Sequence, residues 1–150
     1  MELILWRHAE AEPGEPDLGR RLTAKGQKQA ERVGAWLDRH LPESTRVLVS
    51  PAYRAQQTAL ALKRKFKTVP EIGPGASVAA VLTAAGWPDA REPALIVGHQ
   101  PTLGAVAAFL LSGEEVSWAV KKGAAWWLSN RDRGGAPAIV LRAAIGPDFV

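Results

Sequence analysis

Cysteine is absent from the 150 residues of this chain, and so are long apolar runs. Without cysteine there are no disulfides, no thiolate metal ligands and no cysteine nucleophile, so any covalent catalysis must use another side chain. The first apolar run, Leu3 to Leu5, is followed almost at once by Arg7 and His8, which is unlike a signal peptide, and no window could span a bilayer. We therefore expect a soluble protein of a reducing compartment, in the cytoplasm.

The bulk composition bounds the number of domains and the class of partner. A hydrophobic fraction of 47% suffices for a core without staples, so we expect a single domain over residues 1–150. The formal net charge is +4, and the basic cluster 63–67 is the segment that would suit nucleic acid. That cluster falls at the end of a helix expected from residue 53, where cations complement the helix dipole. We therefore expect no nucleic-acid partner and no membrane partner, whereas a positive field suits anionic substrates.

Strand-like and helix-like segments alternate along the chain. Strands are predicted at residues 2–6, 46–49, 68–72, 94–98, 125–130 and 138–145, with a turn at 131–135. Helices are predicted over 23–40 with Thr23 as the N-cap, from Ser50-Pro51 onward, over 77–85, and after His99 to about residue 111. This alternation predicts an α/β fold, a three-layer αβα sandwich with a mostly parallel central sheet and the last two strands as an edge hairpin.

Charged or titratable groups follow three of the predicted strands. Arg7 and His8 follow the first strand, Arg54 comes shortly after the second, and His99 follows the strand at 94–98. Because the carboxyl ends of parallel strands meet at one edge of a sheet, groups distant in sequence can converge there on one small ligand. Two guanidinium groups, two imidazoles and the adjacent helix N-termini suit the oxygens of a phosphoryl group, which is the ligand we expect.

Three segments together resemble the histidine phosphatase superfamily. They are Arg7-His8-Ala9, Ser50-Pro51-Ala52-Tyr53-Arg54-Ala55-Gln56-Gln57-Thr58-Ala59 and Val97-Gly98-His99-Gln100-Pro101. The short chain and the segment Arg20-Arg21-Leu22-Thr23-Ala24-Lys25-Gly26 are most similar to the short phosphohistidine phosphatase branch, the SixA type. The resemblance implies a phosphoglycerate mutase-like fold and phosphatase activity. It departs at Ala9, where the family commonly has glycine, so the backbone there must keep φ negative.

The resemblance also implies roles for individual residues. His8 would be the nucleophile that forms a covalent phosphohistidine, Arg7 and Arg54 would clamp the phosphoryl group, and His99 would donate to its oxygens. We expect Arg20 either to reach the phosphate or to form a surface salt bridge. No metal and no cofactor is expected, because these cations already supply the usual role of a metal, and His40, the remaining histidine, is isolated.

The sequence leaves the general acid and the substrate open. Glu71 is the candidate acid, although it could equally be a solvated residue at a strand end, and further carboxylates lie in the first loop at Glu10, Glu12, Glu15 and Asp17. The favoured substrate is phosphohistidine on a signalling protein such as a phosphotransfer domain, because little chain remains to build a lid over a small molecule. The alternatives are a small phosphomonoester and, in another class, a phosphoprotein-binding module without turnover.

Overall fold

The computed structural model describes residues 1–133 and 136–150 of the chain. The strands are β1 (Glu2–Arg7), β2 (Arg46–Val49), β3 (Lys67–Thr68), β4 (Ala94–Gly98), β5 (Ala125–Arg133) and β6 (Ala136–Ile145). The α-helices are α1 (Ala24–His40), α2 (Tyr53–Leu60), α3 (Val78–Ala85) and α4 (Thr102–Ser112), with short 3-10 helices at Asp17–Gly19, Pro70–Ile72 and Pro147–Phe149. Residues 131–133 of the predicted turn belong to β5, and residues 134–135 lie outside the described residues.

The strands form one sheet in the order β3-β2-β4-β1-β5-β6. β1 pairs in parallel with β4, β4 with β2, and β2 with β3. β5 pairs antiparallel with β1 and with β6, so the hairpin occupies one edge. The predicted α/β fold, with a mostly parallel sheet and an edge hairpin, is confirmed.

Helices cover both faces of the sheet. On one face, α1 and α2 pack through Val33, Leu37 and Ala59 against strand residues such as Ile4 and Leu95. A second apolar cluster on the other face joins α3 and α4 to the remaining strand side chains, among them Leu3, Leu5, Ile96, Val81 and Val106. The central strands carry unbroken apolar runs at residues 3–6, 47–49 and 94–97, because both faces of the sheet are covered there. In the described part of the chain, no helix combines the length and the apolar character needed to cross a membrane.

The third strand is shorter than predicted. Sequence reasoning placed it at residues 68–72, whereas β3 covers Lys67–Thr68 and a 3-10 helix follows at Pro70–Ile72. Pro70 has no N–H to donate to a strand ladder, which favours the end of pairing before it. The prediction was therefore wrong over residues 69–72.

The basic cluster 63–67 also differs from the expectation. It does not end α2, which stops at Leu60. Instead, Arg64 donates to the Asp38 side chain and to the carbonyl oxygens of Asp38, Leu41 and Pro42. The guanidinium thus complements the carboxyl end of α1, where the last carbonyls of a helix otherwise lack partners.

Candidate active site

The three predicted strand ends lie side by side. β1 and β4 are in register to their last residues, with Arg7 opposite Gly98, and β2 ends beside β4 with Val49 opposite Val97. Two further backbone hydrogen bonds extend the ladder, from His8 N to Gly98 O at 3.0 Å and from Ser50 N to Val97 O at 3.0 Å. The residues that follow β1, β2 and β4 are therefore held at one edge by the sheet itself.

The protonation of the His8 ring is set by a backbone oxygen. His8 Nδ1 lies 2.7 Å from the carbonyl oxygen of Ala9, which can only accept, so Nδ1 carries the proton. Arg54 Nε donates to His8 Nε2 at 3.3 Å, which requires a lone pair on that nitrogen. Neutral His8 therefore presents an unprotonated Nε2 beside a guanidinium. Sequence reasoning missed the Ala9 oxygen because this partner is a main-chain atom.

Arg54 is held by the loop between β1 and α1. Arg54 is only 4% exposed, and its guanidinium donates to the main-chain oxygen of Asp17 at 2.8 Å and to Asp17 Oδ2 at 3.2 Å. Arg20 Nη1 lies 3.2 Å from Asp17 Oδ1, and Arg20 Nε donates to Glu12 O. Arg20 thus joins the site through Asp17, in a salt bridge of the kind that was one of its two predicted roles. The link from Asp17 to Arg54 was not predicted.

His99 is positioned by Ser50. Ser50 Oγ accepts from the N–H of Ala52 at 3.1 Å and lies 2.7 Å from His99 Nε2. The hydroxyl can donate its proton to Nε2, and in that arrangement the proton of neutral His99 lies on Nδ1. Nδ1 is buried and has no hydrogen-bond partner among the described residues, and the rings of His99 and His8 are 5.1 Å apart. Sequence reasoning missed this contact because it assigned Ser50 as the cap of α2, which in fact begins at Tyr53 without a side-chain cap.

Arg7 reaches the segment that precedes β5. Its Nη1 donates to Val120 O at 2.9 Å, and its main-chain N–H donates to Ala124 O at 3.0 Å. The Nε of Arg7 is buried and has no partner in the described part of the chain. Buried donors normally find an acceptor, so Arg7 Nε and His99 Nδ1 are two donors suited to a ligand oxygen.

Helices α1 and α2 hold the backbone that follows His8. Ala9 is fully buried, and its N–H donates to Thr58 Oγ1 at 3.0 Å. Gly26 of α1 lies so close to Glu10 that a Cβ there would collide with the Glu10 carbonyl oxygen. Ala9 does not belong to the residues with positive φ, so the departure from the family's glycine costs no strain.

The predicted acid Glu71 stands apart from these contacts. It is exposed in the 3-10 helix after β3 and makes no hydrogen bond or ion pair with any residue that the structure describes. Asp17 is instead the carboxylate that touches the arginine beside His8. Hydrogen bonding to Arg20, together with the charge of Arg54, holds the pKa of Asp17 below its usual value. A carboxyl that stays ionised is a poor proton donor near neutral pH.

Both site histidines resist protonation. Burial lowers the pKa of His8 to about 4, with the charges of Arg54, Arg7 and Arg20 acting in the same direction and the Ala9 hydrogen bond opposing them. Burial, with His8 and Arg54 acting in the same direction, lowers the pKa of His99 to about 3. Burial lowers the pKa of Arg7 as well. Near neutral pH the site therefore holds two neutral imidazoles among cationic arginines.

These shifts predict that the free energy of unfolding begins to fall at a higher pH than the range in which carboxylates titrate. Below pH 6.5 the unfolded chain protonates both histidines while the folded chain keeps them neutral, so the free energy of unfolding falls as pH falls toward 4. Between pH 8 and pH 5 the loss amounts to about 2 kcal/mol for each histidine. Urea unfolding at the two pH values measures it. In the double variant His8→Asn and His99→Asn this dependence should largely disappear, and an undiminished dependence would contradict the assignment.

The described residues contain no group of three or more His, Asp or Glu side chains placed to hold a metal ion. That the reaction needs no metal stays a prediction.

Comparison with known proteins places the chain in a family. The model of the histidine phosphatase superfamily (branch 1) matches residues 3–76. A phosphohistidine phosphatase SixA homolog of Haemophilus influenzae is 34% identical over 73% of this chain and 77% of that protein, and SixA of Escherichia coli is 31% identical over 76% of each. The structure of a protein histidine phosphatase SixA complexed with tungstate is 25% identical, with a TM-score of 0.78 over 99% of this chain and 98% of that one. The chain described here belongs to the histidine phosphatase superfamily.

Proposed function

We propose that this phosphatase removes the phosphoryl group from phosphohistidine on a protein, with His8 as the nucleophile. The observation that carries the proposal is the hydrogen bond from His8 Nδ1 to Ala9 O, which keeps a lone pair on Nε2 beside Arg54. A neutral imidazole with one fixed proton can attack phosphorus through the other nitrogen. The low pKa of His8, about 4, keeps that nitrogen unprotonated throughout the physiological range.

The reaction takes two displacements. In the first, His8 Nε2 forms a bond to phosphorus while the bond from phosphorus to the substrate nitrogen breaks, and the substrate imidazole leaves. In the second, the oxygen of water forms a bond to phosphorus while the bond from phosphorus to His8 Nε2 breaks. Dihydrogen phosphate leaves with both protons of the water, and neutral His8 is regenerated with its proton still on Nδ1. Because the charge spreads over three phosphoryl oxygens, the protein's contribution is positioning and cationic stabilisation. In this proposal Arg54 turns from His8 Nε2 to those oxygens, and Arg7 and His99 supply their unpartnered donors.

The state of the nearby carboxylates favours phosphohistidine over phosphate esters. An alkoxide leaving group needs a proton, whereas an imidazole whose second nitrogen is protonated leaves neutral without one. Asp17, the carboxylate next to Arg54, has a lowered pKa and stays ionised. The names of the two bacterial relatives, phosphohistidine phosphatases at 34% and 31% identity, support the same substrate class. Tungstate, an oxyanion, is bound in the similar SixA structure.

Substrate comparison tests the proposal. The purified protein would be given a histidine-phosphorylated phosphotransfer domain and, separately, small phosphomonoesters including a sugar phosphate and a nucleotide. We expect kcat/KM for the phosphoprotein to exceed that for the esters by roughly 10²-fold or more. The reason is that an ester releases an alkoxide, and Asp17, the carboxylate next to Arg54, is ionised and cannot protonate it. Turnover of the esters alone, abolished in Glu71→Gln, would replace the proposal with a small-molecule phosphomonoesterase. Tight binding of the phosphoprotein without release of phosphate would replace it with a binding module.

The single-domain organisation and the cytoplasmic location belong to the same proposal, and limited proteolysis and cell fractionation test them.

A further inference from the structure

A cationic groove lies beside Arg7, on the side of the site nearest the hairpin. It encloses about 600 Å³ between the start of α1, the segment that precedes β5 and the end of the chain. Lys25, Lys121 and Lys122 line it together with Arg7, and Asp148 is the acidic side chain in its lining. The groove is therefore positive in net charge and suits an acidic ligand.

The groove meets the site described above at Arg7, which belongs to both. The lysine pair lies in the segment 119–124, which is fixed to β1 by hydrogen bonds from Arg7 Nη1 to Val120 O and from Gly123 N to His8 O. On the other side, Gln100 donates to Trp118 O at 2.8 Å, so the residue after His99 holds the residue that precedes this segment. A molecule that occupies this groove contacts Arg7, the last residue of β1, and His8 is the next residue along the chain.

Exposed side chains give the groove both charge and an apolar anchor. All three lysines are exposed. Within the described residues, Lys122 is the only one of the three that forms an ion pair, with Glu10 at 4.0 Å. Phe149 lines the groove with 87% of its surface exposed, and half-buried Trp126 lies in the same lining. Aromatic side chains surrounded by charged ones are typical of protein interfaces. Phe149 and Trp126 line the same groove, and a grouped aromatic surface rimmed by polar residues marks an interaction site.

We infer that this groove docks the acidic face of the phosphoprotein whose phosphohistidine enters the site. The inference rests on the proposed function and adds the surface that selects the partner. Lysines at an interface rim act mainly on encounter rate and orientation, so charge complementarity here raises kcat/KM for the protein substrate. A small substrate with the same phosphoramidate bond does not extend into the groove and gains nothing from it.

Charge reversal separates docking from chemistry. The triple variant Lys25→Glu, Lys121→Glu and Lys122→Glu leaves every residue of the proposed mechanism in place. The substrates are a histidine-phosphorylated phosphotransfer domain with Asp and Glu around its phosphohistidine, and free phosphohistidine. At low ionic strength we expect kcat/KM to fall roughly 30-fold or more for the phosphoprotein and to change by less than about threefold for free phosphohistidine.

A matched control removes the effect of net charge. Lys63, Lys65 and Lys67 are exposed near β3, at the sheet edge opposite the hairpin, and the same reversal there changes the net charge equally. The control variant should keep kcat/KM for both substrates within about threefold of the wild type. Added salt should lower the wild-type value for the phosphoprotein far more than that of the groove variant.

The outcomes that overturn docking differ from those that overturn the function. The docking role is wrong if the groove variant turns over the phosphoprotein with the kcat/KM of the wild type, or if the variant loses kcat/KM equally on both substrates. Either result leaves the proposed function in place. Wild-type turnover of free phosphohistidine without turnover of the phosphoprotein removes the protein substrate, and the docking surface with it. A duplex oligonucleotide that binds the wild type at physiological salt, and not the groove variant, would reassign the groove to nucleic acid.

Discussion

Replacing His8 with asparagine is expected to lower turnover of the phosphoprotein by at least about 10³-fold, because loss of a nucleophile removes the covalent route altogether. Wild-type protein quenched during turnover should carry one phosphoryl group, in a linkage that is labile to acid and stable to base, as expected for a phosphorus–nitrogen bond. The variant should carry none. Mass spectrometry of the quenched proteins, alongside phosphate release, measures both effects.

Asparagine suits this experiment because His8 is 9% exposed and its Nδ1 donates to the Ala9 carbonyl. The amide nitrogen of asparagine can replace that donor, so the fold should survive. The matched control is His40→Asn at the end of α1, where the imidazole bonds to Trp36 O away from the sheet edge. The control should keep wild-type turnover. A phosphorylated His8→Asn protein would identify a different nucleophile, with His99 the next candidate.

The elements that carry the site were predictable because they have strong local signals. β1, β2 and β4 are short apolar runs buried on both faces, and Thr23 caps α1 through a bond from Gly26 N to its Oγ1. The wrong predictions concern sequence patterns that are compatible with two different local structures. Ser50-Pro51 is a typical start for a helix, but Ser50 Oγ is occupied by Ala52 N–H and His99 Nε2.

The arginines and histidines of the site were predicted from the sequence, whereas the groups that hydrogen-bond to them were not. Arg7, His8, Arg54 and His99 could be grouped because they follow strands whose ends must meet in a parallel sheet. The Ala9 oxygen that sets the His8 tautomer and the contact of Asp17 with Arg54 depend on how the loop from β1 to α1 folds back. That path is set by tertiary contacts such as Leu22 N to Gln57 Oε1, which join residues far apart in sequence.

Replacing Arg54 with alanine is the second change with a large expected effect. Arg54 is buried, and its Nε donates to the nitrogen that we propose attacks phosphorus, so it lies where negative charge develops. Loss of one such preorganised donor costs about 3–4 kcal/mol, or roughly 10²–10³-fold in kcat. Arg54→Lys restores the charge without the planar fork and should recover only part of this loss. The control is Arg64→Ala, which removes an arginine that bonds to the end of α1 and should lower stability without lowering kcat.

The pH profile distinguishes a role in the chemistry from a structural one. The positive charge of Arg54 is one of the causes that lower the pKa of His8 to about 4, after burial. Without that charge the pKa of His8 rises toward 6.5, and the acid limb of kcat/KM moves to higher pH by the same amount. Arg54→Lys keeps the charge, so its limb should stay near that of the wild type even though its kcat is reduced. An Arg54→Ala profile that falls in parallel with the wild-type profile would mean that Arg54 does not act on His8. The two variants separate the positive charge of Arg54 from its planar guanidinium. An acid limb that does not move in Arg54→Ala contradicts the effect of the charge on the pKa of His8, whereas a wild-type kcat in Arg54→Ala contradicts the role of the guanidinium in stabilising the phosphoryl oxygens.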